Sequence, residues 1–180
     1  MKKIVISLSL FLFAIFSSLG QTERVSGKII KNFGTTFNVN KPEIKTETTS
    51  NLKVIFDVST SSENRNTINK NIVTAARFLN MHANEGMKLN QLKVAMTIHG
   101  GAWQDVLNDK DYKEKFGVPN PNSKLIKELT SAGVEIIICG QTAMFREMNR
   151  KTVLPEVKFA LSAMTALLQY QNNGYRFIKF

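Results

Sequence analysis

The only cysteine of the chain, Cys139, is the side chain best suited to covalent chemistry. It ends an apolar run that begins at Gly133, and Gly140, Gln141 and Thr142 follow it at once. This pattern predicts a strand that delivers one thiol to a turn just before a helix. Ligands of open α/β sheets collect where strands end at their carboxyl side. We therefore take Cys139 as the candidate catalytic residue.

The turn after Cys139 is suited to stabilising an anionic sulfur. Gly140 permits a backbone conformation that other residues resist, and the N–H groups of this turn would face the sulfur at the positive end of the next helix. Donors of this kind lower the pKa of a thiol from about 8.5. The alternative is an inert thiol, because unpaired cysteine often behaves as a small buried hydrophobe. The sequence leaves both interpretations open.

A second candidate segment begins at His99, where the strand predicted over 92–98 ends. His99 either lowers the pKa of the thiol and accepts its proton, or is satisfied by backbone hydrogen bonds in a glycine-rich turn. Gly100 and Gly101 favour a tight loop over a phosphate cradle, because neither GxGxxG nor the P-loop pattern is present. Trp103 either walls the pocket or anchors the loop in the core. The candidate binding residues are His99, Gly100, Trp103, Gly140, Gln141 and Thr142.

The elements that would position these residues alternate between strands and helices from Leu52 onward. Strands are predicted over 52–58, 92–98, 134–139, 157–161 and 175–180, and helices over 68–83, 123–132, 142–149 and 162–171. This alternation predicts a doubly wound α/β fold with a mostly parallel five-stranded sheet. The carboxyl ends of the first three strands would then share one edge of the sheet, and we place the site there.

The first 20 residues have the features of a cleaved secretory signal. Lys2 and Lys3 precede the apolar stretch 4–16, and segment 17–20 places small residues where a signal peptidase cleaves before Gln21. The apolar run is shorter than the roughly 20 residues that a spanning helix needs. We therefore predict a signal peptide over 1–20, an exported protein that is periplasmic or secreted, and no membrane span after cleavage.

The remaining chain divides into a polar segment and a domain. Residues 21–50 are predicted to form an extended leader that lays one short strand on the domain or on a neighbouring subunit. The α/β domain then covers 51–180. An exported domain with one cysteine has no internal disulfide, so packing alone must hold it together.

Several classes of function lack the residues they need. The 24 basic and 14 acidic residues are spread along the chain without a basic run or interleaved aromatics, so no nucleic-acid partner is predicted. His82, His99 and Cys139 are too few and too scattered for a structural zinc site. No CxxC, CxxCH or GxSxG motif is present. The sequence predicts no metal site and no cofactor.

Four segments resemble the DsrE/DsrF-like family. They are the strand that ends in His99-Gly100, the Asn120-Pro121-Asn122 segment before a helix, AGVEIIICGQT at 132–142 and ALLQYQNNGYRFIKF at 166–180. The resemblance covers about Leu52 to Phe180. Its most specific part is the Gly-Val-x-(apolar)-Cys-Gly segment combined with the Gln-x-x-Gly-Tyr ending.

The resemblance implies a flavodoxin-like or Rossmann-like three-layer sandwich that assembles as an oligomer, often a trimer or hexamer. It also implies that Cys139 occupies the position where sulfur-relay members accept sulfane sulfur as a persulfide and pass it to the next carrier. Those relay proteins work in the cytoplasm, whereas this chain carries an export signal.

Two hypotheses follow from the residues and the resemblance together. In the first, an exported DsrE-like protein handles or transfers sulfur through a persulfide or redox-active Cys139, and a protein sulfur donor or acceptor is its partner. In the second, the chain is a non-catalytic oligomeric binding module for a small anion or a protein, and its thiol is incidental.

Overall fold

The computed structural model describes residues 23–179, and the predicted signal peptide at 1–20 lies outside the described residues. The strands within this range are β1 Arg24–Val25, β2 Thr36–Phe37, β3 Leu52–Val58, β4 Leu92–Ile98, β5 Glu135–Cys139, β6 Lys158–Ala160 and β7 Arg176–Lys179. The α-helices are α1 Lys70–Asn84, α2 Asp109–Phe116, α3 Ser123–Ser131, α4 Gly140–Phe145 and α5 Ala163–Asn172. Short 3₁₀ helices cover Leu89–Gln91 and Gly100–Val106. No helix within 23–179 is long and apolar enough to cross a membrane.

The main sheet has five strands in the order β6-β5-β4-β3-β7, and every neighbouring pair is parallel. Its register aligns Asp57 with Thr97 and Ile98 with Ile138. The predicted parallel α/β fold is therefore confirmed. Parallel pairing also brings the ends of β3, β4 and β5 to one edge of the sheet, as the alternation of elements predicts.

Alternating side chains of the strands build a separate apolar layer on each face of the sheet. Phe56, Met96 and Ile136 pack on the face that α1 and α3 cover. Ile55 and its neighbours Ala95 and Ile137 pack on the opposite face, against Ala166 and Leu167 of α5. Helices on both sides of one parallel sheet make the three-layer, flavodoxin-like sandwich that the family resemblance implies.

The largest differences from the sequence-based prediction are at α4, β6 and α2. α4 begins at Gly140 rather than at 142 and ends at Phe145 rather than at 149, because Glu147 adopts a left-handed backbone with φ of 57°. β6 is shorter than the predicted 157–161 strand. α2 was not predicted, since its sequence DKDYKEKF offers a single buried residue, Tyr112, and so shows no apolar stripe.

The segment before the main sheet packs on the domain. β1 and β2 pair antiparallel with each other and not with the main sheet, so the one short strand expected on the domain is a small separate pair. Ile30 is only 2% exposed and belongs to the core on the α1 side. The amide of Asn80 on α1 accepts the N–H groups of Ile29 and Ile30 and donates to the carbonyls of Ile30, Phe33 and Gly34. A single buried side chain thus fixes the chain path over 29–34.

A buried carboxylate joins the loops on the α1 side of the sheet. Asp105 Oδ1 accepts from Ser61 Oγ at 2.6 Å and from Asn122 Nδ2 at 3.2 Å, and its Oδ2 accepts from Asn69 Nδ2 at 2.6 Å. Burial raises the pKa of Asp105 to about 6, although the hydrogen bonds to its carboxylate act in the opposite direction and lower it. The Asn120-Pro121-Asn122 segment therefore belongs to a structural network that holds loops together.

Candidate functional site

Cys139 lies where the connections of two adjacent strands leave the sheet in opposite directions. β5 leads into α4, whose Ala143 packs in the core on the α1 side, whereas β6 leads to α5, whose Ala166 packs on the other face. Cys139 ends β5 and pairs with Ala160 at the end of β6. Connections that diverge in this way open a crevice at the carboxyl edge of a parallel sheet. The thiol therefore stands at the point where this fold type forms ligand sites.

Four N–H and O–H groups lie near the Cys139 sulfur and favour its negative charge. They are the backbone N–H and hydroxyl of Thr142, the N–H of Ala163 and the N–H of Gln141. Burial favours the neutral thiol, but the donors together outweigh this effect and lower the pKa of Cys139 below its ordinary value. The turn after β5 supplies the predicted donors, and the start of α5 adds one that the sequence did not indicate. The arrangement stabilises an anionic sulfur.

Glycine is required at position 140 because another segment of the backbone passes close to its Cα, and not because of its φ angle. Its φ lies outside the left-handed region, which corrects the expectation that it supplies an unusual turn conformation. A Cβ at this position would collide with the carbonyl oxygen of Ala160 and touch that of Leu161. Gln141 reinforces this contact by donating from Nε2 to Leu161 O at 3.3 Å. Cys139 itself is 6% exposed.

Gly100 joins the thiol site through Thr142. Its N–H donates to Thr142 Oγ1 at 3.3 Å, and its φ of 53° is a left-handed value that favours glycine. The loop after β4 is thereby tied to the loop after β5. The structure thus brings Gly100, Gln141 and Thr142 together around Cys139.

His99 is bound to a carboxylate rather than to the backbone. Its Nε2 lies 2.8 Å from Asp57 Oδ1, which also accepts from Thr97 Oγ1 at 3.0 Å. Lys179 Nζ lies 3.3 Å from Asp57 Oδ2. The alternative in which backbone groups satisfy the His99 side chain is therefore wrong, because its partner is the Asp57 carboxylate. Asp57 is not among the candidate residues predicted from the sequence, although its position near the end of the first predicted strand is a signal that could have identified it.

Trp103 anchors its loop in the core on the α1 side. It is 8% exposed, and its ring packs against that of Phe116 with 6.3 Å between the two ring centroids. The cations of Lys115 and Arg146 stand 5.3 and 5.2 Å from its ring centroid. Between residues 23 and 179, no three His, Cys, Asp or Glu side chains are grouped so that they could hold a metal ion.

The Thr142 hydroxyl is expected to tune the acidity of the thiol. Replacing Thr142 by valine removes this donor while keeping the side-chain volume, so the pKa of Cys139 should rise and alkylation near neutral pH should slow roughly three- to tenfold. Thr142→Ser, which keeps the hydroxyl, is the matched control and should stay close to wild type. The measurement is the rate of iodoacetamide alkylation as a function of pH. Equal rates for wild type and Thr142→Val would show that the hydroxyl does not act on the sulfur.

Comparisons with known proteins agree with this architecture. The profile of the DsrE/DsrF-like family matches residues 53–180. Two solved structures share the fold: MTH1491 from Methanobacterium thermoautotrophicum, a protein of unknown function (17% identity, TM-score 0.55, 72% of this chain and 100% of that one), and the ychN protein from E. coli (13% identity, TM-score 0.51, 72% and 99%). No curated protein has a significant match to the sequence. The family match includes Cys139 and every strand residue of the main sheet except Leu52, and on this evidence the chain belongs to the DsrE/DsrF-like family.

Proposed function

We propose that this protein handles sulfur outside the cytoplasm, with Cys139 as the residue that carries the transferred sulfur atom. Membership of the family indicates a function related to sulfur relay. The observation that carries the proposal is the convergence of donors from Thr142, Gln141 and Ala163 on one sulfur at the end of β5. Such donors favour a thiolate, which is the nucleophilic form of cysteine, and they would equally favour the anionic persulfide that forms from it.

The proposed step is a transfer of one sulfane sulfur atom. The Cys139 thiolate attacks the outer sulfur of a donor persulfide, R–S–SH, so that a new S–S bond forms on Cys139 while the donor S–S bond breaks. The donor leaves as the thiolate RS⁻, and Cys139 carries –S–SH, which loses its proton to become the anionic persulfide. A second thiol takes the outer sulfur by the same exchange, which regenerates the Cys139 thiolate.

The export signal predicted over 1–20 supports a periplasmic or secreted location. We expect the mature protein to begin at Gln21, after cleavage of that segment. The segment that follows it is held on the domain by Asn80, and Ile30 is part of the core. We therefore expect the leader to remain attached to the α/β domain after export.

Exposed apolar side chains on the elements next to the thiol support self-association. We call these residues the apolar rim: they lie on α4, on β6 and the residue after it, and on α5, and each is 40–79% exposed. They are Met144, Phe145, Phe159, Leu161, Met164 and Leu168. Soluble monomers seldom expose several large apolar side chains together. The rim favours a homo-oligomer, for which a trimer or hexamer is the expectation, or a partner protein that docks beside Cys139.

The same rim favours a second candidate function. If the thiol takes no part in chemistry, the carboxyl edge of the sheet would bind a small anion or a protein partner within the oligomer, without catalysis. The hydrogen-bond donors around Cys139 would then hold the anion, since they favour negative charge whatever its source.

Intact-mass spectrometry after treatment with a sulfane-sulfur donor tests the proposal. We expect wild-type protein to gain the mass of one sulfur atom, about 32 Da, as a persulfide, and Cys139→Ser to gain none. The oligomeric state of both proteins is measured in parallel by light scattering. An unmodified wild type that assembles as the serine variant does would contradict sulfur handling and support the binding module.

A further inference from the structure

A carboxylate, an imidazole and the thiol stand in a row across three adjacent strands. Asp57 lies near the end of β3, His99 directly follows β4 and Cys139 ends β5. The backbone N–H of His99 donates to the backbone carbonyl of Val58 at 3.0 Å. This bond continues the β3–β4 ladder one residue past its last pair. Since Ile98 pairs with Ile138, His99 stands beside Cys139 on the neighbouring strand, and such strands lie about 4.8 Å apart.

The three side chains project from the same face of the sheet. Ile55 and Ile137 pack against α5, and Asp57 and Cys139 lie two residues further along their strands, so they share that face. The N–H of Ala163 at the start of α5 acts on the Cys139 sulfur and helps to lower its pKa, which agrees with this placement. His99 reaches Asp57 and must point to the same side.

The hydrogen bond to Asp57 determines which nitrogen of His99 is free. A carboxylate only accepts, so His99 Nε2 carries the proton of the 2.8 Å hydrogen bond in the neutral imidazole. The other nitrogen, Nδ1, then has a lone pair and makes no hydrogen bond to any residue that the structure describes. A histidine oriented by a carboxylate through one nitrogen is suited to accept a proton at the other.

We propose that His99, oriented by Asp57, accepts the proton of the Cys139 thiol at Nδ1. This inference rests on the proposed function, and it adds the fate of the proton. The S–H bond of Cys139 breaks, an N–H bond forms on His99, and the products are a thiolate and an imidazolium with no change of oxidation state. Asp57 is a positioning residue, because it acts on the sulfur only through His99.

The charged groups around the His99 ring favour the ion pair of the Cys139 thiolate and the His99 imidazolium. Asp57 on β3 faces the imidazole, Lys179 on β7 neutralises the second oxygen of Asp57, and Cys139 on β5 supplies the new negative charge. The sequences of α4 and α5, GQTAMF and AMTALLQYQN, contain no charged residue. The proton transfer therefore leaves two anions and two cations together in a row, with no further charge from the adjoining helices.

His99→Gln tests the inference against a matched control in the same chain. Glutamine keeps a donor for Asp57 but offers no nitrogen that accepts a proton, so we expect alkylation of Cys139 by iodoacetamide near neutral pH to slow by roughly three- to tenfold. Asp57→Asn should slow it in the same direction by a smaller factor. His82→Gln makes the same substitution at the other histidine and should leave the rate unchanged.

A nitrogen NMR measurement on the wild-type protein is independent of how the variants fold. Neutral His99 should carry its proton on Nε2. His82 should show the opposite tautomer, because its Nδ1 donates to the carbonyl of Phe78 at 2.7 Å. An Nδ1–H tautomer at His99 would overturn the inference, and so would His99→Gln protein that alkylates at the wild-type rate at every pH. Neither readout needs sulfur transfer, so a missing persulfide would defeat the proposed function while leaving this result interpretable.

Discussion

Replacing Asn80 by aspartate should lower the free energy of unfolding by on the order of 3 kcal/mol or more and release the chain over 29–34 from the domain. Aspartate still accepts the N–H groups of Ile29 and Ile30. It cannot donate to the carbonyls of Ile30, Phe33 and Gly34, and it places a buried charge against them. Asn80 is fully buried, so water cannot replace the lost hydrogen bonds.

Asn71→Asp is the matched control for Asn80→Asp. The position lies on the same helix, is partly exposed and falls in the first turn of α1, where a negative charge is favourable. The free energy of unfolding of Asn71→Asp should stay within about 0.5 kcal/mol of the wild-type value. Urea unfolding measures both variants, and limited proteolysis reports release of the leader. Equal stability of the two variants would mean that Asn80 does not hold the leader.

Replacing Gly140 by alanine should destabilise the protein by about 1–3 kcal/mol and displace the thiol from its donors. The added methyl would meet the carbonyl oxygens of Ala160 and Leu161, and backbone atoms of this kind cannot rotate away. β6 and the start of α5 would therefore have to move. Because Ala163 supplies one of the donors to Cys139, the pKa of the thiol should rise together with the loss of stability.

Gly101→Ala provides a graded comparison for Gly140→Ala. A Cβ at Gly101 would stand 3.2 Å from Ser59 O, a contact that a small shift relieves. We expect a loss of less than about 1 kcal/mol and an unchanged pKa for Cys139. Thermal unfolding and the pH dependence of alkylation distinguish the two variants. An alanine at Gly140 that leaves both quantities at wild-type values would show that the close approach is tolerated.

The centre of the parallel sheet could be predicted because β3, β4 and β5 are mostly buried and so read as nearly continuous apolar runs. Strand β5 and its flanking glycine are the clearest example. α2 could not be predicted, because a helix that buries only Tyr112 shows no periodicity. The attachment of the leader was also hidden, since it depends on one asparagine on α1 whose partners lie about fifty residues away in sequence.

The candidate site was predictable to the extent that it is local. Cys139, Gln141 and Thr142 are close in sequence, and the strand–turn pattern identified them together. The contribution of Ala163 depends on how β6 and α5 return to the end of β5, which no local pattern shows. The partnership of Asp57 with His99 likewise required the register between β3 and β4, which sets the two side chains on one face.

The pH dependence of Cys139 alkylation in the wild-type protein tests the central claim most directly. We expect the rate to rise with pH with a midpoint below about 8.5, the value of an ordinary thiol, because the nearby N–H and O–H groups of Thr142, Ala163 and Gln141 favour the thiolate. The reaction should proceed in the folded protein and be absent from Cys139→Ser. A midpoint at or above that value, or a thiol that reacts only after unfolding, would contradict the account.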